Sequence, residues 1–121
     1  MAEAERNWAA PRWVFYDKHR PIRGLEWSIL VTESGSPGGR AFYHPSISVA
    51  HQEHMELNCA VPERMFGQIR HKRMYFMDCG YRIGASCGEE TSYLYVEVLS
   101  SGELHGRPIT PEQFRVKGAD L

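Results

Sequence analysis

The run Ser92-Tyr93-Leu94-Tyr95-Val96-Glu97-Val98-Leu99 alternates between two chemically distinct sets of side chains. Leu94, Val96 and Val98 share one parity and carry no polar group, whereas Tyr93, Tyr95 and Glu97 share the other. A period of two marks a β-strand with one buried face, and β-branched and aromatic residues suit a pleated sheet. A strand is therefore expected here, its aliphatic face in a core and its tyrosine face turned the other way.

Working outward, Gly88-Glu89-Glu90 turns the chain, and residues 73–79 and 81–85 read as strand segments interrupted near Gly80. The clearest alternation lies further back, where Leu25, Trp27, Ile29 and Val31 interleave with Glu26, Ser28, Leu30 and Thr32. That pattern predicts a strand, and Ser34-Gly35-Ser36-Pro37-Gly38-Gly39 predicts the hairpin connection to the next one. Residues 12–18, with Trp13, Val14, Phe15 and Tyr16, predict a first strand, followed by a connection through Pro21 and Gly24. Residues 50–57 contain good helix formers, but Val49, Ala50, Met55 and Leu57 do not gather on one helical face. Odd-position alternation of Tyr43, Ile47 and Val49, then Met55, Leu57, Cys59 and Val61, predicts instead two strands turning near residues 51–54.

Helix is expected in two places. Pro62 suits a first turn, and Met65, Phe66 and Ile69 follow at spacings of three and four, so residues 62–71 predict a short helix. Thr110-Pro111-Glu112-Gln113 is a capping-box pattern with proline at the first helical position, predicting a C-terminal helix or helical turn. The fold class that results is α+β, mainly β, with an antiparallel sheet of about five to seven strands. Residues 1–11 read as a partly mobile arm that Trp8 could pin, and residues 12–121 as one globular domain.

Composition bounds the function. The chain has 121 residues, of which 42% are hydrophobic and 24% charged, as in ordinary globular proteins. A net charge of -1 argues against both a generally basic nucleic-acid binder and a strongly acidic mimic of nucleic acid. No stretch approaches the roughly 18 apolar residues of a membrane span, and residues 1–13 lack the apolar core of an export signal. Three cysteines, Cys59, Cys79 and Cys87, form neither an even framework nor a C-x-x-C pair, which predicts a reducing, cytoplasmic setting.

Several constellations bear on chemistry. Gly84-Ala85-Ser86-Cys87-Gly88 matches the G-x-S-x-G pattern that exposes a serine nucleophile between a strand and a helix. Here a strand is expected after Gly88, so Ser86 is read as a turn residue rather than a nucleophile. His44, His51, His54 and Cys59 are ligand types that suit zinc, yet their spacing is no recognised zinc pattern, so solvent-facing histidines and a buried cysteine are expected. Arg70-His71-Lys72-Arg73 is the one dense basic run, and with Tyr75 and, on a neighbouring strand, Tyr93 and Tyr95 it could hold phosphates and stack bases. The plainer reading is a solvated helix end. The loop 35–39 lacks the Lys-Ser/Thr ending of a phosphate loop, and Glu89 and Glu90 define no cleft.

The expected function is binding without catalysis: an adaptor, inhibitor or immunity-type factor, of the kind mobile elements carry, that engages another protein. Tyr93, Tyr95 and Glu97 are the expected contact residues, since tyrosines give large contact at low entropic cost. No cofactor and no membrane partner is expected. The alternatives are a nucleic-acid-binding module built on Arg70, His71, Lys72, Arg73 and Tyr75, and a small metal- or serine-dependent enzyme.

Overall fold

A computed structural model describes residues 8–119, so residues 1–7 of the expected arm lie outside the described residues. The fold is α+β and mainly β. Strands β1 (Arg12–Trp13), β8 (Glu103–Ile109), β7 (Tyr93–Leu99), β4 (Lys72–Asp78) and β3 (Met65–Ile69) form one sheet in that order. Its pairings are antiparallel except for β1 with β8. A second, antiparallel sheet runs β2 (Phe42–Tyr43), β5 (Gly84–Ser86), β6 (Glu89–Thr91). The helices are α1 (Trp27–Ser34), α2 (Val49–Cys59) and α3 (Pro111–Ala119), and 3₁₀ turns occupy Asp17–His19 and Pro62–Arg64.

Central strand β7 takes up the expected orientation. Leu94, Val96 and Val98 enter the main core with Leu104, Tyr75, Tyr43, Ile47, Ile83 and the α2 residues Met55 and Cys59. On the opposite face Tyr95 joins Met74 and Ile109, with Phe66, Phe76, Tyr93 and Phe114 packed around them. Phe114 of α3 stacks on Phe76 with centroids 3.7 Å apart, and Phe76 stacks on Tyr93 at 5.2 Å. The tyrosine face is thus a second, smaller core under α3.

The capping box forms as expected: Gln113 N–H donates to Thr110 Oγ1 at 3.1 Å and Thr110 N–H donates to Gln113 Oε1 at 3.0 Å. At the β5–β6 hairpin, Cys87 and Gly88 both have positive φ, 52° and 83°. Left-handed geometry at both central residues gives the turn the twist of its strands.

Five sequence expectations are corrected. Residues 25–32 form no strand; helix α1 turns Trp27, Leu30, Val31 and Ser34 inward while Leu25 and Ile29 stay exposed. The inward set follows helical spacing, and the even-odd alternation arises from apolar residues lying on both sides of that helix. Residues 34–39 accordingly leave a helix end rather than linking two strands. Residues 49–59 are helix α2, opened by Ser48, whose Oγ accepts from His51 N–H. Its inward residues Gln52, Met55, Glu56 and Cys59 sit at spacings of three and four, and two of them are polar. An apolar count therefore misses the buried face. Residues 62–71 form a single 3₁₀ turn and then β3, because β4 folds back on β3 through Arg70 and His71 and takes its backbone hydrogen bonds. Strand one is short: after Val14 N–H donates to Leu104 O, the chain leaves the sheet for the first 3₁₀ turn.

Glu56 ties α2 to three other elements. Trp13 Nε1–H donates to Oε1 at 2.7 Å and Tyr43 O–H to Oε2 at 2.5 Å. Gln52 and the Gly106 N–H of β8 donate as well. A Cβ at Gly106 would stand 2.5 Å from Tyr95 O and 3.2 Å from Glu56 Cγ, so only glycine lets the carboxylate reach the sheet. Glu56→Ala is expected to cost about 3 kcal/mol of unfolding free energy, since it strands the Trp13 and Tyr43 donors and leaves a void. Urea denaturation at neutral pH measures this.

Candidate functional site

The sheet face that bears Tyr95 is only half covered. α3 packs over one part, and beyond it Glu97 and its cross-strand neighbour His105 line a cleft with Tyr16 from the first connection. Two cavities of about 260 and 270 Å³ share Lys18, His19 and Arg107 as walls, so the cleft continues past the 3₁₀ turn 17–19 to the β5–β6 turn. Arg40, Ser86 and Gln113 line the far cavity.

At the near end, Glu97 is fully engaged. Tyr95 O–H donates to Oε1 at 2.8 Å, His105 Nε2 lies 3.2 Å from Oε2, and Lys72 Nζ lies 3.8 Å away. The His105 bond, aided by Tyr95 and Lys72, outweighs desolvation and holds the Glu97 carboxyl down to about 2. Tyr16 sets its ring edge-on to His105 at 4.7 Å and donates its hydroxyl to Glu103. His105 Nδ1 is enclosed there without a hydrogen-bond partner among the described residues.

At the far end the charge is uncompensated. No acidic residue lines that cavity, and Lys18, Arg40 and Arg107 have no carboxylate within 4.0 Å among the described residues. Two of these cations are held by ring faces: the Arg107 guanidinium lies 5.2 Å over Tyr95 and that of Arg40 lies 5.1 Å over Phe42. His19 contributes no charge. Burial, joined by Arg107, Lys18 and Arg40, lowers it to about 4, although the bond to the Ala41 carbonyl at 2.8 Å pulls the other way. A carbonyl only accepts, so the His19 proton is on Nδ1.

Gly39 and Arg40 also line a third hollow of about 460 Å³, whose other walls include Ile22, Leu25, Ile29 and Phe42. Ile22, Leu25 and Ile29 are 40%, 40% and 44% exposed. The hollow, aliphatic at Ile22, Leu25 and Ile29 and polar at Glu33 and Ser36, thus adjoins the cationic cavity at Gly39 and Arg40.

The residues singled out by sequence are dispersed by the fold. Tyr93 and Tyr95 belong to the second core, Tyr95 being 2% exposed, while Tyr95 and Glu97 also form part of the cleft wall. Arg70 to Arg73 occupy the β3–β4 hairpin tip and strand start, not a helix end. Lys72 faces Glu97, the Arg73 guanidinium lies 4.1 Å over the Trp8 ring, and Tyr75 is buried in the main core where no base can stack on it. His44 packs against Trp27, His51 meets the Tyr81 hydroxyl at 2.6 Å, and His54 pairs with Asn58. Cys59 is fully buried, its thiol pushed up to about 12 by desolvation. Among the described residues no group of three or more His, Cys, Asp or Glu converges on one point. Ser86 is buried and donates to Gln113 Oε1 at 2.6 Å, and a hairpin follows it rather than a helix. No helix among the described residues is long and apolar enough to cross a membrane.

Sequence reasoning missed Lys18, His19, Arg40 and Arg107. They are spread over some ninety positions, and nothing local marks any of them.

Because the folded Glu97 carboxyl titrates near 2, below its ordinary 4.5, it stabilises the fold above about pH 4.5 and that contribution is lost as pH falls towards 2. Glu97→Gln should thus lower stability at pH 7 by at most about 3 kcal/mol. The variant and the wild type should converge in urea denaturations run at successively lower pH.

The chain was compared with protein-family models, with curated proteins and with solved structures, and it matches none of them.

Proposed function

We propose that this protein acts by binding another protein, without covalent chemistry, as an adaptor or inhibitor. The partner lies along the apolar groove of Ile22, Leu25 and Ile29 and reaches Arg40 and the cationic cavity beyond it. The observation that carries this reading is the continuity of the two surfaces. Exposed aliphatic side chains gathered in one hollow, which has Glu33 in its wall and shares Gly39 and Arg40 with the cationic cavity, complement a segment that presents apolar residues followed by an acidic group.

The expected contact set therefore shifts. Tyr95 and Glu97 remain at the cleft wall, but Tyr95 acts through its packing beneath Arg107, and the outward contact falls to α1, its preceding loop and Arg40. Ser86, whose hydroxyl is taken up by Gln113, serves the hairpin and the helix cap. Three unpaired thiols, Cys59, Cys79 and Cys87, agree with work in a reducing, cytoplasmic compartment.

Leu25→Ser with Ile29→Ser tests the groove, because both side chains are already exposed and the fold should tolerate the change. Capture from extract of the native host by the wild type and by a Leu57→Ser control should retain one stoichiometric protein. The groove variant should bind it at least tenfold more weakly, about 1.4 kcal/mol, with an unchanged melting temperature. Equal capture by all three proteins would refute the assignment.

A further inference from the structure

We propose that the cavity walled by Lys18, Arg40 and Arg107 is a binding site for a phosphate monoester dianion, carried on a side chain of the protein partner. The source of the phosphate rests on the protein-binding reading above; the ligand chemistry rests on the cavity itself.

Three cations from separate parts of the chain meet at one hollow of about 270 Å³: Lys18 from the 3₁₀ turn, Arg40 from the residues before β2, and Arg107 from β8. None has a carboxylate partner among the described residues, and no acidic side chain lines the hollow. Like charges gathered without counterions oppose folding, and a bound anion removes that opposition. His19 stands among them as a neutral ring, so the local charge comes from the three cations. A phosphate monoester carries about -1.5 to -2 charges at neutral pH and offers three acceptor oxygens. A lone carboxylate or a phosphodiester brings one charge and would leave most of the field uncancelled. The guanidinium groups are held over Tyr95 and Phe42, which limits their freedom before any ligand arrives and favours forked contacts to phosphate oxygens.

The dense basic run of the sequence offers no equivalent. There Lys72 is occupied by Glu97, Arg73 donates to Gln68 Oε1, and none of residues 70–73 lines the hollow. The phosphate is placed on a protein side chain because the hollow bearing Ile22, Leu25 and Ile29 adjoins the cavity at Gly39 and Arg40, so a segment with an aliphatic residue near the phosphate fills both.

The test is an NMR titration of the intact protein at low ionic strength, first with inorganic phosphate and then with a phosphoserine peptide carrying leucine or isoleucine nearby. Inorganic phosphate should saturate with a dissociation constant on the order of 1 mM, shifting the amides of Lys18, Arg40 and Arg107 but not those of residues 70–73. Lys18→Gln, on an exposed turn, should weaken it at least threefold. Lys18→Gln with Arg40→Gln and Arg107→Gln should abolish it, and Arg82→Gln, a cation elsewhere, should leave it unchanged. The phosphopeptide should bind at least tenfold more tightly than phosphate, and Leu25→Ser with Ile29→Ser should erase only that gain.

No saturable phosphate binding, or binding that Lys18→Gln leaves intact, overturns the proposal even if groove-dependent capture of a protein persists. Phosphate binding at the cavity with no gain from the peptide overturns the assignment of the source, assigns the site to a free small phosphate, and counts against the groove reading alone.

Discussion

A buried carboxylate on α2 sets the arrangement of the elements around it. Glu56 is 1% exposed, and burial raises its carboxyl above the ordinary value, with hydrogen bonds from Tyr43, Trp13, Gln52 and Gly106 offsetting only part of that cost. Those donors come from β2, β1, α2 itself and β8. Each must be in place for the group to be tolerated, because an unpaired acid at that depth is far less favourable than one in water. β1 runs beside β8 only as far as Leu104, and Glu56 takes the Gly106 N–H further along that edge. Gln52 extends the linkage, accepting from Arg20, which also donates to Ile47 O. The polar groups of α2 thereby position the loop that leads from the first 3₁₀ turn towards α1.

That positioning matters for the cleft. The 3₁₀ turn carries Lys18 and His19, and its exit is held by Arg20 against α2 and by His19 against Ala41. Arg107 is placed independently, as the register neighbour of Tyr95 on the second face of the main sheet. The hollow is a product of two packings: the helix-side network that brings in residues 17–20, and the aromatic layer of Phe76, Tyr93, Tyr95 and Phe114 that supports β8 from beneath α3. Gln113 joins these halves, since it closes the α3 cap and accepts from Ser86 of the second sheet.

The two faces of the main sheet do different work. One packs its aliphatic side chains against Met55 and Cys59 of α2, with the buried Glu56 carboxylate reaching Trp13 and Gly106 at its edge. The other grades from stacked aromatic rings under α3 to the Tyr95, Glu97, His105 and Lys72 cluster beyond the helix. With Glu97 charged and satisfied, the near end of the cleft is balanced in charge, and the positive field is left to the far end. A chain with a net charge of -1 thus presents a local positive site that its overall composition conceals.

The strands β4 and β7, the turn at Gly88 and the capping box at Thr110 were legible because each depends on neighbours within a few residues. β7 in particular shows both of its faces in its own alternation. The helices α1 and α2 were not, because alternation of apolar residues mimicked strands and because Gln52 and Glu56 occupy buried positions that hydrophobic counting assigns to solvent. Those two side chains are acceptable inside only with donors supplied from Trp13, Arg20 and Tyr43, which lie many residues away. The helical spacing over 65–69 lost to the sheet for a similar reason, as β4 provides backbone partners that an isolated segment lacks. The sequence by itself determined the class of fold and the orientation of its central strand. The tertiary structure alone decided where Lys18, Arg40 and Arg107 meet, because electrostatic fields depend on distance through space and no periodicity along the chain encodes it.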